Sequence, residues 1–132
     1  MFKWLTVFYV GLFLMFNTSY AYAAKWKPGV TNTKNAIMWA FCGKHYKPCW
    51  LGHEALAVSN CETGGTYSIW ASNGWYKGLF QMGPSERAIW GFGNDPWEQA
   101  LSAYRMYKWT STHEGGPRWH RWACRPDGSV AY

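Results

Sequence analysis

Glu54-Ala55-Leu56-Ala57-Val58-Ser59-Asn60-Cys61-Glu62-Thr63-Gly64-Gly65 has the spacing of a short amphipathic helix with a marked end. Leu56, Ala57, Val58 and Cys61 fall at three- and four-residue steps, which puts them on one face. The Gly64-Gly65 pair stops the helix, so Glu62 sits in its last turn. There a carboxylate opposes the negative end of the helix dipole, and any burial adds to the cost of ionising it. Both effects favour a carboxyl that keeps its proton, the property a general acid needs.

Downstream, residues 67–71, the turn signal Asn73-Gly74 and residues 75–82 predict a β-hairpin, and no other part of the chain reads as strand. Pro84 and Ser85 open a short helix through Ala88, Ile89 and Trp90, closed by Gly91 and Gly93. Asp95-Pro96-Trp97-Glu98 starts another, with Asp95 as N-cap, Pro96 first and Glu98 third. It runs to about Trp109 or beyond, with Trp97, Leu101 and Tyr104 as its apolar face. Residues 118–124 read as one or two turns. Upstream, the uniformly apolar Ala36-Ile37-Met38-Trp39-Ala40-Phe41 predicts a buried helix over residues 35–41, stopped by Gly43, then a loop over 43–51 around Pro48. The fold class is α+β, mainly helical, with a small β-hairpin.

The N-terminal 24 residues have the layout of a signal peptide: Lys3, an apolar run over residues 4–16, then Ala21 and Ala23 in an A-x-A element. The apolar run is shorter than the roughly 20 residues of a spanning helix, so a retained membrane anchor is the weaker alternative. Cleavage leaves about 108 of the 132 residues, a flexible lead-in over residues 25–34 and one domain over 35–132. The formal charge of +6, or +5 without Lys3, favours anionic surfaces such as cell walls. Of 11 tryptophans, only Trp4 leaves with the leader. So many aromatics exceed what a small core hides, and some are expected to line a groove. Aromatic faces suit sugar rings, bases and membrane interfaces alike, and export argues against nucleic acid. Cys42, Cys49, Cys61 and Cys124 form an even set in an exported chain, so disulfides are expected, with three pairings open. A zinc site from Cys42, His45, Cys49 and His53 is the alternative.

Cys61-Glu62-Thr63-Gly64-Gly65, followed by Gly78-Leu79-Phe80-Gln81-Met82, resembles the paired signature of lysozyme-like lytic transglycosylases. The resemblance is strongest to the transglycosylase-like domain of resuscitation-promoting factors and small actinobacterial and phage relatives. It covers residues 54–124, with the aromatic segment Trp119 to Trp122 ahead of the last cysteine. It implies a lysozyme-like fold in which a glutamate ends a helix and a G-L-x-Q strand faces it across a glycan groove. It also implies a bridge from Cys61 to Cys124, which leaves Cys42 with Cys49. Thr63 replaces the serine many members carry. Gln81 lies one residue later than in the resuscitation factors, and the Cys42 to Cys49 loop with His45 and His53 is outside the pattern.

Most glycosidases pair an acid with a second carboxylate. The exported part has seven acids: Glu54, Glu62, Glu86, Asp95, Glu98, Glu114 and Asp127. No partner for Glu62 is evident in the sequence. A single carboxylate suits transglycosylation, in which the substrate's own C6 hydroxyl closes a 1,6-anhydro ring. The expectation is therefore a secreted peptidoglycan lytic transglycosylase acting on glycan strands, with Glu62 catalytic and Gln81, Tyr76, Trp75 and Thr63 binding substrate. It needs no metal or cofactor, does not stay in the membrane once the leader is cleaved, and acts as a monomer. The rivals are a hydrolysing muramidase with the same site and a non-catalytic cationic wall-binding module.

Overall fold

The computed structural model describes residues 30–43 and 48–131; the expected leader, residues 25–29 of the expected lead-in, and His45 lie outside them. Among the described residues four helices and a minimal hairpin follow in order: α1 (Val30–Cys42), α2 (Trp50–Glu62), β1 (Ser72–Asn73), β2 (Tyr76–Lys77), α3 (Pro84–Trp90) and α4 (Pro96–His113). The architecture is mainly helical α+β. Helix α1 packs on α2 and α4, and α3 leans on α4. Among the described residues no helix is long and apolar enough to cross a membrane.

Helix α1 begins at Val30, so residues 30–34 of the expected lead-in are helical. Thr33 is buried, which draws this extra turn into the fold. Ala36, Ile37, Ala40 and Phe41 then enter the core, as the uniformly apolar run foretold. Helix α2 likewise starts earlier than expected, at Trp50, because the Cys49 sulfur caps it by accepting from Gly52 N at 3.3 Å. Cys42 and Cys49 are joined by a disulfide, S–S 2.05 Å, which ties the end of α1 to the start of α2 and removes the two thiolates from the zinc alternative. Gly52 belongs to this junction: a Cβ there would collide with Met38 and Cys42.

Helix α4 opens as expected, with Asp95 Oδ1 accepting from Trp97 N at 2.8 Å and Glu98 N at 3.3 Å. Its buried stripe differs. Ala100, Ala103, Met106, Tyr107 and Thr110 face the core, while Trp97 and Tyr104 pack at its margin and Leu101 is only partly buried. Small residues occupy the centre because α1 lies against them.

The largest departure is in the hairpin. Only Ser72↔Lys77 and Asn73↔Tyr76 pair, and Gly78-Leu79-Phe80-Gln81 is a tight turn closed by the Lys77↔Met82 bridge. Leu79 and Phe80 are both buried, which alternation along a half-buried strand forbids. Gly78 has φ +81°, and a Cβ there would lie 2.5 Å from Gln99 Oε1. Gln99, itself buried, accepts from Leu79 N at 3.0 Å and donates to Ile69 O at 3.1 Å and Gly93 O at 2.7 Å. One side chain thus joins the segment before β1, the turn and the loop before α4.

Phe41 lies among Phe80, Tyr104, Tyr107 and Trp119, with ring centroids 5.4 to 6.0 Å away. Trp119 is fully buried and reaches Glu54 Oε2 with its indole N–H at 3.0 Å. Trp122 donates to Phe80 O at 3.0 Å. Residues 118–124 form turns without a helix, held by Arg125, whose guanidinium donates to Trp119 O and Trp122 O. A small antiparallel bridge, Cys124↔Val130, was not foreseen.

Candidate active site

Helix α2 ends at Glu62 as the sequence predicts, and its alignment is set from outside the helix. Ser59 donates to Leu79 O at 2.8 Å, fastening α2 to the Gly78-to-Gln81 turn. Cys61 is bonded to Cys124, the pairing implied by the resemblance. The Cys124 backbone N–H donates to Glu62 Oε1 at 3.0 Å. Burial pushes the Glu62 carboxyl above its ordinary value of 4.5, and the backbone hydrogen bonds from Cys124 and Ala123 oppose it more weakly. The group is therefore poised to hold a proton.

Glu62 lines a cleft of about 340 Å³, within the range of small-ligand sites. Asn73 and Tyr76 of the hairpin form part of its wall, and Gln81 extends that wall from the turn. Gln81 has φ +44°, a left-handed backbone rare for a non-glycine residue. Its amide donates to Ala71 O at 3.1 Å and Gly78 O at 2.9 Å, so its carbonyl end is left for other partners. Trp122, Ala123 and Arg121 bound the cleft from the C-terminal segment, and Met106 of α4 contributes an apolar patch.

Of the expected binding residues, Gln81 and Tyr76 come together with Glu62 in this cleft. Thr63 and Trp75 do not line it. Thr63 is buried, donates to Ser59 O at 2.8 Å and accepts from Tyr67 N at 2.9 Å, which makes it a closure of α2. Trp75 sits at the hairpin tip, 77% exposed. Trp50 and Trp70 are also exposed away from the cleft, so the aromatic surplus divides between core and open surface more than it lines the groove.

The sequence showed no partner for Glu62, yet the cleft holds a second carboxylate, Glu86, on the first turn of α3. The remaining acids are accounted for elsewhere. Glu54 accepts from Trp119, Asp95 caps α4, Glu98 folds against Gly93, Glu114 pairs with Arg121 and His120, and Asp127 accepts from Ser129. Glu86 went unseen because its place depends on the turn that brings α3 back beside the hairpin. Arg87 secures that return by donating to Trp75 O at 2.9 Å and Met82 O at 2.6 Å. The signal available was Gln81-Met82-Gly83-Pro84-Ser85-Glu86, where Pro84 starts a helix three residues after the glutamine. A second cavity of about 420 Å³ shares Glu86, Met106 and Arg121 with the first and continues along Trp90 and Trp109.

No group of three or more histidine, cysteine or acidic side chains suited to a metal ion occurs among the described residues. Comparison with protein-family models, curated proteins and solved structures finds no match to the chain.

Proposed function

We propose that this protein is a secreted peptidoglycan lytic transglycosylase of lysozyme-like fold that uses no cofactor and cleaves the MurNAc-GlcNAc β-1,4 bond with Glu62. The observation that carries the reading is the half-buried Glu62 carboxyl at the end of α2, biased toward its protonated form and open to a cleft shared with Gln81 and Tyr76. A protonated carboxyl there donates to the O4 leaving group as the C1–O4 bond breaks. The substrate's N-acetyl group supports the developing charge at C1. Its C6 hydroxyl then bonds to C1 and returns a proton to Glu62, leaving a 1,6-anhydro end.

Three further features support the setting. Two disulfides suit an oxidising compartment, and the charge of +6 suits an anionic wall. Tyr76, half exposed on the cleft wall, offers a ring face to a sugar. The reading is tested by incubating the protein with purified cell-wall sacculi and measuring soluble muropeptides. Release with anhydro ends, abolished by Glu62→Gln, is expected. A wild-type protein that binds sacculi and releases nothing would return the assignment to a wall-binding module.

A further inference from the structure

In the proposed reaction the bond that breaks is at C1 of MurNAc, and MurNAc carries the wall's peptide stem through the lactyl group on its O3. A bound strand therefore needs room for a peptide beside the reacting sugar. The second cavity, of about 420 Å³, opens from the cleft where Glu86, Met106 and Arg121 are shared. It is lined by α3, α4 and the segment that follows α4, with nothing from α2, the hairpin or the Gly78-to-Gln81 turn. Beyond the shared residues it meets Trp90 and Trp109, whose ring centroids are 5.8 Å apart with planes inclined at 47°. His113 stacks on Trp109 at 4.8 Å and fixes that ring from outside the cavity lining, while Ile89 lines the cavity at 70% exposure.

The lining is poor in polar groups free to meet a sugar. Thr110 Oγ1 donates to Met106 O at 2.9 Å, the Ser85 hydroxyl donates to Glu86 at 3.2 Å, and Glu114 is engaged by Arg121 and His120. A sugar ring brings several hydroxyls, each a donor that needs an acceptor once water is displaced. Indole faces and an aliphatic side chain suit alkyl groups instead. Two carboxylates, Glu86 and Glu114, stand against one guanidinium, Arg121, so the lining has an excess of one negative charge in a chain of formal charge +6. Indole faces beside a net negative charge favour an ammonium. We infer that the second cavity receives the peptide stem, taking an alkyl side chain that ends in an ammonium, so that the protein cleaves peptide-bearing strands in preference to bare glycan. This rests on the proposed reading of the Glu62 cleft.

The test uses soluble glycan strands whose uncrosslinked stems carry a side-chain ammonium, and the same strands after an amidase has cut the lactyl–peptide bond, with new glycan ends counted by mass. Wild type is expected to show a kcat/KM roughly tenfold higher on the peptide-bearing strands, and Trp109→Ala to bring the two values within about twofold, chiefly by raising KM on the peptide-bearing ones. Ile89→Lys, a change at an exposed position, should lower the preference by setting a like charge beside the ammonium, and Ile89→Glu should keep it. Equal cleavage of both substrates by wild type overturns the inference and leaves the transglycosylase reading intact. So does a preference undiminished in Trp109→Ala, or one lowered equally by Ile89→Lys and Ile89→Glu. If Trp109→Ala melts early, Ile89→Lys decides, and an undiminished preference there overturns the inference as well. Absence of all cleavage by wild type overturns both readings.

Discussion

The backbone N–H of Cys124 donates to Glu62 Oε1 at 3.0 Å across 62 residues of chain, and the neighbouring Cys61 is covalently bound to Cys124. The covalent bond and the hydrogen bond therefore act on one joint. The disulfide holds the Cys124 amide within reach of Glu62, and that amide orients the carboxylate while burial keeps its pKa high.

Glu62→Gln is expected to lower glycan cleavage roughly 100- to 10,000-fold, since the amide fits the space but donates no catalytic proton. It should also stabilise the fold at neutral pH. An acid whose folded pKa is raised contributes stability that is fully present below 4.5 and lost as pH rises through the folded value. Melting curves of wild type and variant should converge at low pH and separate at pH 7, with the variant melting higher.

The same shift sets the pH dependence of activity. In the proposed reaction Glu62 acts in its protonated form, so kcat/KM should fall on the alkaline side as pH rises through a value above 4.5. An activity limb at or below the ordinary carboxylate value would show that Glu62 is not the donor.

Opening the long bridge should weaken both fold and function. Residues 61 and 124 are 63 apart, and a loop of that size is worth about 4 kcal/mol in the chain-entropy model. Cys124→Ser is therefore expected to lower the melting temperature sharply, and to cost activity as Glu62 loses its fixed donor. Peptide mapping without reductant checks the pairing itself.

Gln99→Leu removes the acceptor for Leu79 N and the donor to Ile69 O and Gly93 O. Leaving these buried groups unpaired should destabilise the domain by about 3 kcal/mol, measured by denaturant unfolding. Because the turn that bears Gln81 hangs on this side chain, substrate affinity should fall as well.

Glu114 provides a contrasting pH response. Hydrogen bonds from Arg121 and His120 hold its carboxyl down to about 2. Its contribution is present above 4.5 and is lost as pH falls through about 2. Glu114→Gln should reduce the melting temperature at pH 6 and have little effect near pH 2.

The sequence by itself determined what local chemistry controls. The Asp95-Pro96 start of α4, the helix running into Glu62 and the apolar run of α1 were legible because caps, periodicity and glycine stops act over one or two turns. Glu62 stood out through its place at a helix end and the paired motif. The tertiary structure decided everything that depends on residues distant in the chain. It turned Gly78-Leu79-Phe80-Gln81 from an expected strand into a turn, because both Leu79 and Phe80 are drawn inward and Gln99 closes the backbone around them. It drew Thr63 into closing α2 and placed Trp75 at the exposed hairpin tip. It also brought Glu86 into the cleft of Glu62, since no local spacing encodes how α3 folds back on the hairpin. Local preferences reach a few residues along the chain, whereas a cleft is made where burial and long-range hydrogen bonds bring separate segments together.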